Sequence, residues 1–174
     1  DIRHQITKPD TVHIASKEAP HLMIGFRFPG AGTKESYLVE MVDMLLNNRT
    51  AGLFDLNINQ PQKAINSYCH PYILRDYTSH EMGGQPNNGQ SLEELKELIF
   101  AQINLLKKGE FNEWLLEAVV NDLKKSEINS ARSNRNRVSA MSSTFAKNIS
   151  WEEHTTHFER LSKITKEDIV TFVN

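Results

Sequence analysis

The chain has 174 residues, enough for one domain with a sizeable core and too few for two ordinary ones. Its 20 Lys and Arg against 22 Asp and Glu leave a formal charge of −2, a balance that argues against nucleic acid or an anionic membrane as the main partner. A single cysteine, Cys69, removes internal disulfides and every zinc arrangement built on several thiolates, and no apolar run is long enough for membrane insertion.

In chain order, "TVHIAS" alternates, with Val12 and Ile14 on one face, and predicts a strand. "HLMIGFRFPG" predicts a stronger one, closed by Pro29-Gly30. The period then changes. Leu38, Met41, Val42 and Leu45 recur at three- and four-residue steps, which predicts an amphipathic helix ending at Asn47-Asn48. "TAGLFDLNI" predicts a short helical turn back towards the sheet, and "KAINSYCHPYILRDYTSHEMGG" two further strands ending at Gly83-Gly84.

From there the chain predicts helices. Ser91 and Glu94 form a capping box ahead of a stripe of Leu95, Leu98, Ile99, Ile103 and Leu106, and Gly109 suits the left-handed residue beyond it. A further helix carries Phe111, Trp114, Leu115, Ala118, Val119 and Leu123 on one face. "NSARSNRNRVSAMSSTF" is more polar, with a weaker stripe through Val138, Met141 and Phe145. "SWEEHTTHFERLSK" and "TKEDIVTFV" complete the chain, the last with Thr165 and Asp168 in capping positions. Strands mixed with helices, followed by helices alone, predict an α+β two-layer sandwich. Its mostly antiparallel sheet has about four or more strands with helices on one face, and the C-terminal half is helix-rich. Asp1 and Asn174 have the look of boundaries inside a longer polypeptide, so the expectation is one domain, 1–174, of a multi-domain chain.

Chemistry is harder to find. "SWEEHTTHFERL" holds two histidines and three glutamates, the side chains of metal sites. As a helix, however, it has Ser150 at the N-cap with Glu153 three residues on, and Glu152 and Glu153 sit where the helix dipole favours carboxylates. Trp151, His154, Phe158 and Leu161 share an arc of roughly 80°. His154 and His157 are spaced i, i+3, not the i, i+4 of a helical zinc pair; Glu153 and His157 do have that spacing. The expectation is a capped surface helix. "FPGAGT" lacks the Lys-Ser/Thr of a phosphate loop and predicts a turn. Arg132, Arg135 and Arg137 predict a solvated helix face, since no aromatic residues are interleaved to stack bases. Cys69 has His70 beside it only in sequence, and a Cys–His nucleophile needs an orienting third group.

The stretches "IGFRFPGAG", "LVEMVDMLLNNRTAGLFDLNINQPQKA", "QSLEELKELIFAQINLLKKGEF" and "LSKITKEDIVTFVN", in that order, give the sequence a resemblance. It resembles the pitrilysin/insulinase family of zinc metallopeptidases, which includes the mitochondrial processing peptidases, and in particular a domain that follows a catalytic one. The resemblance implies repeated α+β domains joined into two halves that close around a peptide. It implies zinc held in one domain by His-x-x-Glu-His and a distal Glu. That motif is absent here: "EHTTH" has another order, and His80-Glu81 has no second His following. Active members also carry an Arg and a Tyr, seven residues apart, that reach into the site from the facing half. In "LFDLNINQPQKAI" those places fall on Asn57 and Ala64, which offer neither a fixed charge nor a hydroxyl to an oxyanion.

The expectation is therefore a non-catalytic domain with no catalytic, cofactor-binding or metal residues of its own. Zinc is expected in the catalytic domain of the parent. The partners expected are the parent's other domains and a peptide or small-protein substrate. A scaffold or assembly relative of the same fold is the alternative.

Overall fold

The computed structural model describes residues 6–15 and 17–174. Strand β1, Leu22–Pro29, turns Leu22 and Ile24 towards the core and leaves Met23 on the open side. Pro29 and Gly30 end it in a tight turn that matches the reading of "FPGAGT". A Cβ on Gly30 would lie 2.2 Å from the Arg75 carbonyl oxygen, and Gly32 has φ +80, a conformation that costs little only without a side chain. The Ala31 amide donates to the Leu74 carbonyl at 2.8 Å, tying this turn to the next hairpin.

Thr33 then caps helix α1, Lys34–Leu46, by accepting from the Ser36 amide. Val39, Met41, Leu45 and Leu46 are fully buried, so α1 is a core helix covered on more than one side. After it, Asn48 Oδ1 accepts from the amides of Thr50, Ala51 and Gly52 at 3.1, 2.7 and 3.1 Å. This closes a loop into the expected helical turn. It is a π-helix, Asp55–Asn59, in which Gln60 N donates to Asp55 O at 2.8 Å.

Strands β2, Asn66–Ile73, and β3, Tyr77–Gln85, form the predicted hairpin. Antiparallel pairing of β1 with the other side of β3 gives the order β1-β3-β2. Pro71 is tolerated because β2 lies at an edge. The sheet has three strands among the described residues, fewer than the four expected. The missing one is "TVHIAS": residues 11–15 adopt no strand, and Ser16 lies outside the described residues. Val12 and Ile14 are 74% and 84% exposed, so the alternation has neither a neighbouring strand nor an apolar surface to meet.

Helix α2, Leu92–Lys108, starts at the predicted Ser91–Glu94 capping box and ends at Gly109 with φ 68. Helix α3, Trp114–Ser130, buries Leu115, Leu116, Val119 and Val120, while Trp114 faces solvent instead of the core. Helix α4, Asn134–Ala146, buries Thr144 alone, and its expected stripe lies on the outside. The single helix expected over "SWEEHTTHFERLSK" is two short ones, α5, Trp151–Thr155, and α6, His157–Leu161. The hydroxyls of Thr155 and Thr156 both donate to the Glu152 carbonyl at 2.9 Å, competing with the helical ladder at the break.

Helix α7, Lys166–Val173, closes the chain behind the predicted Thr165–Asp168 capping box. Helices α1 and α2 lie on the sheet, α7 packs on both, and α3 and α6 pack on α1. The architecture is α+β with helices on one face of a mainly antiparallel sheet.

Asp168 accepts from Lys34 Nζ at 2.7 Å and from Thr165 N and Oγ1 at 3.1 and 2.9 Å. These donors, Lys34 first, hold its carboxyl down at about 2. A carboxylate with a folded value below its unfolded one stabilises above the unfolded value and loses that contribution as pH falls through the folded one. Chemical denaturation between pH 4 and 2 should therefore show a loss of stability that Asp168→Asn makes shallower.

Candidate functional site

The sheet's pleat sorts its side chains. On the helix side, β2 presents Ser67 and Cys69, and β3 presents Thr78, His80 and Met82, all buried. Register places Cys69 opposite Met82, so His80 stands one pleat along from Cys69, and α1 brings Asp43 down onto both. His80 Nε2 and Asp43 Oδ1 are 3.0 Å apart, and the Cys69 thiol donates to the Asp43 carbonyl at 3.5 Å. Among the described residues these three form the group whose donor atoms could converge on a metal ion, lying within 4.8 Å of one another.

Sequence reasoning missed this group because it paired Cys69 with its neighbour His70. Alternation sends His70 to the opposite face, where its ring meets Tyr72 edge-on at 4.8 Å. The signal was available: once the hairpin is paired, Cys69 and His80 share a face.

A hydrolytic zinc needs three ligands and an open position for water. All three residues here are buried. Burial, followed by the nearby Asp43 charge and hydrogen bond, pushes the Cys69 thiol far up, away from the thiolate that attacks a carbonyl. The Asp43 carboxylate is committed to His80. These residues do not fit a catalytic zinc; they form a polar knot that fixes α1 on the sheet.

Beside them Thr78 Oγ1 is buried without a hydrogen-bond partner among the described residues. An unsatisfied buried hydroxyl costs about 1–3 kcal/mol. Thr78→Val, which keeps the shape and removes that group, should raise the unfolding free energy by about 1 kcal/mol in urea titrations.

The "EEHTTH" residues do not converge. Glu153 donates its amide to Ser150 Oγ at 3.1 Å, but its carboxylate does not return to the cap. It accepts instead from Tyr37 Oη at 3.2 Å and lies 4.0 Å from Arg160, which leaves the expected capping box half made. His157 pairs with Glu40 at 3.0 Å and lies against the Tyr37 ring, while His154 packs on Trp151. His157 and Glu153, through Glu40 and Tyr37, fasten the α5–α6 segment to α1, while the His154 contact stays within α5. Burial, helped by Glu153, raises the Tyr37 phenol above its ordinary value.

Asn57 and Ala64 are likewise committed to the fold. Asn57 Nδ2 donates to Gln102 Oε1 at 2.7 Å, and Gln102 Nε2 donates on to the Leu98 carbonyl at 3.1 Å. Ala64 is buried in the core. The π-helix thus turns its polar side chain towards α2.

Among the described residues, no helix layer covers the other sheet face. Register sets three rows across it: Met23–Gly83–Tyr68, Gly25–Glu81–His70 and Arg27–Ser79–Tyr72. It is polar and aromatic, bare of side chains at Gly25 and Gly83. His21 Nε2 and Tyr68 Oη lie 2.9 Å apart at its rim.

An antiparallel sheet carrying helices on one face defines the chain as an α+β domain, and residues 2–123 match the family described as the peptidase M16 inactive domain. The chain belongs to that family, a branch of the zinc metallopeptidases of pitrilysin and insulinase type. Solved structures share the fold. A protease from Helicobacter pylori superposes with TM-score 0.77 at 20% identity, covering 88% of this chain and 37% of that one. A chain of Complex III2 from Candida albicans gives 0.73 at 9%, covering 88% and 39%. The peptidase M16 inactive domain from Pseudomonas fluorescens gives 0.71 at 15%, covering 87% and 36%. The chain thus spans little more than a third of each of these three. A comparison with curated proteins gave no match.

Proposed function

We propose that this chain is a non-catalytic, supporting and substrate-enclosing domain of a zinc-dependent metalloendopeptidase, with zinc and the water-activating Glu in another domain of the same polypeptide. The observation that carries the reading is the fate of Asn57 and Ala64, the positions on which the family resemblance places the Arg and Tyr of active members. One is tied to Gln102 and the other is buried, so neither offers a donor to a tetrahedral oxyanion. The uncovered sheet face, with Tyr68, His70, Tyr72 and Glu81, supplies the wall: flat, polar and aromatic, suited to weak contacts with many peptide sequences. Selection would then rest on what fits between the halves.

The test is a series of unstructured peptides of rising length given to the longer polypeptide. A steep fall in kcat/KM beyond a limiting length is expected. Equal cleavage of short peptides and of loops on folded proteins would contradict enclosure.

A second reading, an assembly or scaffold subunit without hydrolysis, is favoured by the fold likeness to a chain of Complex III2. A polypeptide containing this chain but no His-x-x-Glu-His would decide for it.

A further inference from the structure

Helix α4 is an anomaly among the described helices. It is 13 residues long, rich in Ser, Asn and Arg, and buries Thr144 alone. A helix of that length and composition is marginal in water without a packed face. Its apolar side chains point outward: Val138, Met141 and Phe145 are 65%, 54% and 88% exposed. At about 100° per residue the three share an arc of about 60°, with Arg135 about 60° beyond one edge and Arg137 about 40° beyond the other. Alongside runs a groove of about 350 Å³ between the end of α3, α4 and α5–α6, lined among others by Glu127, Arg137, Ala140, Met141, Trp151 and Phe158. Residues 131–151 contain Arg132, Arg135, Arg137 and Lys147 and no Asp or Glu, within a chain whose net charge is −2.

We infer that this face is the docking surface for a neighbouring folded domain of the longer polypeptide, one that presents carboxylates around a large apolar side chain. The inference rests on the functional reading above and names the partner it requires. The apolar side chain enters the groove against Met141 and Trp151, and carboxylates meet Arg137 at its rim and Arg135 across the apolar stripe.

Three other occupants fit less well. A peptide lying in the groove would leave Val138 and Phe145 bare. A bilayer needs a strongly amphipathic helix with a broad apolar face, and α4 offers three large apolar side chains in 13 residues. A second copy, joined by a two-fold axis, would bring Arg135 and Arg137 of both copies together with Glu127 as the groove's one carboxylate to offset them. The span of relatives agrees, since this chain covers 37% of the Helicobacter pylori protease and leaves room for such a domain.

Hydrogen–deuterium exchange of residues 134–146 tests the inference, in this chain alone and in the longer polypeptide. The amides of α4 should exchange at least tenfold more slowly in the longer polypeptide. Arg135→Glu with Arg137→Glu should abolish that protection there while the β3 amides keep theirs, and high salt should weaken it. Equal exchange in the two contexts would overturn the inference, as would protection indifferent to the charge reversal. Slowing in the chain alone by phosphatidylserine vesicles, or by raised protein concentration, would also overturn it, in favour of a membrane or of a second copy. Peptide hydrolysis is not the readout. A retained length limit with an unprotected α4 would therefore sink the docking surface and leave the functional reading standing.

Discussion

Asp43→Ala should lower the unfolding free energy by about 1–3 kcal/mol, because it leaves His80 Nε2 buried without its hydrogen-bond partner. The prediction separates two views of the Asp43–Cys69–His80 group. A merely tolerated polar contact would cost little when broken. A pair that fixes α1 against β3 costs the full desolvation of the orphaned imidazole, with the Cys69 thiol retaining only its bond to a backbone carbonyl. Replacing both members by apolar residues of similar volume, Asp43→Val with His80→Phe, should recover most of the loss, since exchanging both partners of a buried hydrogen bond for apolar groups is nearly neutral. Urea denaturation of the single and double variants measures both. Equal destabilisation by the two would show that local geometry, and not the pairing, sets the cost.

Phe54→Ala should cost about 3–5 kcal/mol, the usual range for emptying a fully buried aromatic site. Phe54 immediately precedes the π-helix and anchors the loop that carries Asn57 towards α2. The loss should therefore be local as well as global. Asn57 should leave Gln102, and amide exchange over 55–63 should rise before that of β3. Thermal unfolding, at about 2–4 °C per kcal/mol for a chain of this size, should show a midpoint lowered by roughly 10 °C. A shift of only a degree or two would mean that the site collapses around the deletion and that the π-helix does not depend on it.

What the sequence made legible follows from how locally each feature is encoded. Capping boxes at Ser91–Glu94 and Thr165–Asp168, and the left-handed Gly109, depend on residues within one turn, and all three stand where the spacing put them. The β2–β3 hairpin and the α1 stripe were equally readable, because period 2 and period 3.6 differ over a few residues. Features that depend on distant partners were not. Val12 and Ile14 alternate like a strand but find no edge to pair with. Glu153 reads as half of a capping box, yet Tyr37, 116 residues away, takes its carboxylate. His80 and Cys69 meet only after the hairpin closes, and Asp43 joins them only when α1 packs on the sheet. The stripe on α4 was visible, but which side of the helix meets the core was not, since a helix that docks elsewhere shows the same periodicity.

If, as proposed, this domain supports and walls a peptidase without performing its chemistry, the chain alone should be inert. Hydrolysis of an unstructured fluorogenic peptide by the chain alone, with zinc supplied and then with a chelator, should show no turnover above buffer in either condition. Steady turnover with zinc that the chelator abolishes, and that Asp43→Ala or His80→Ala removes, would contradict it and make the buried group a working site.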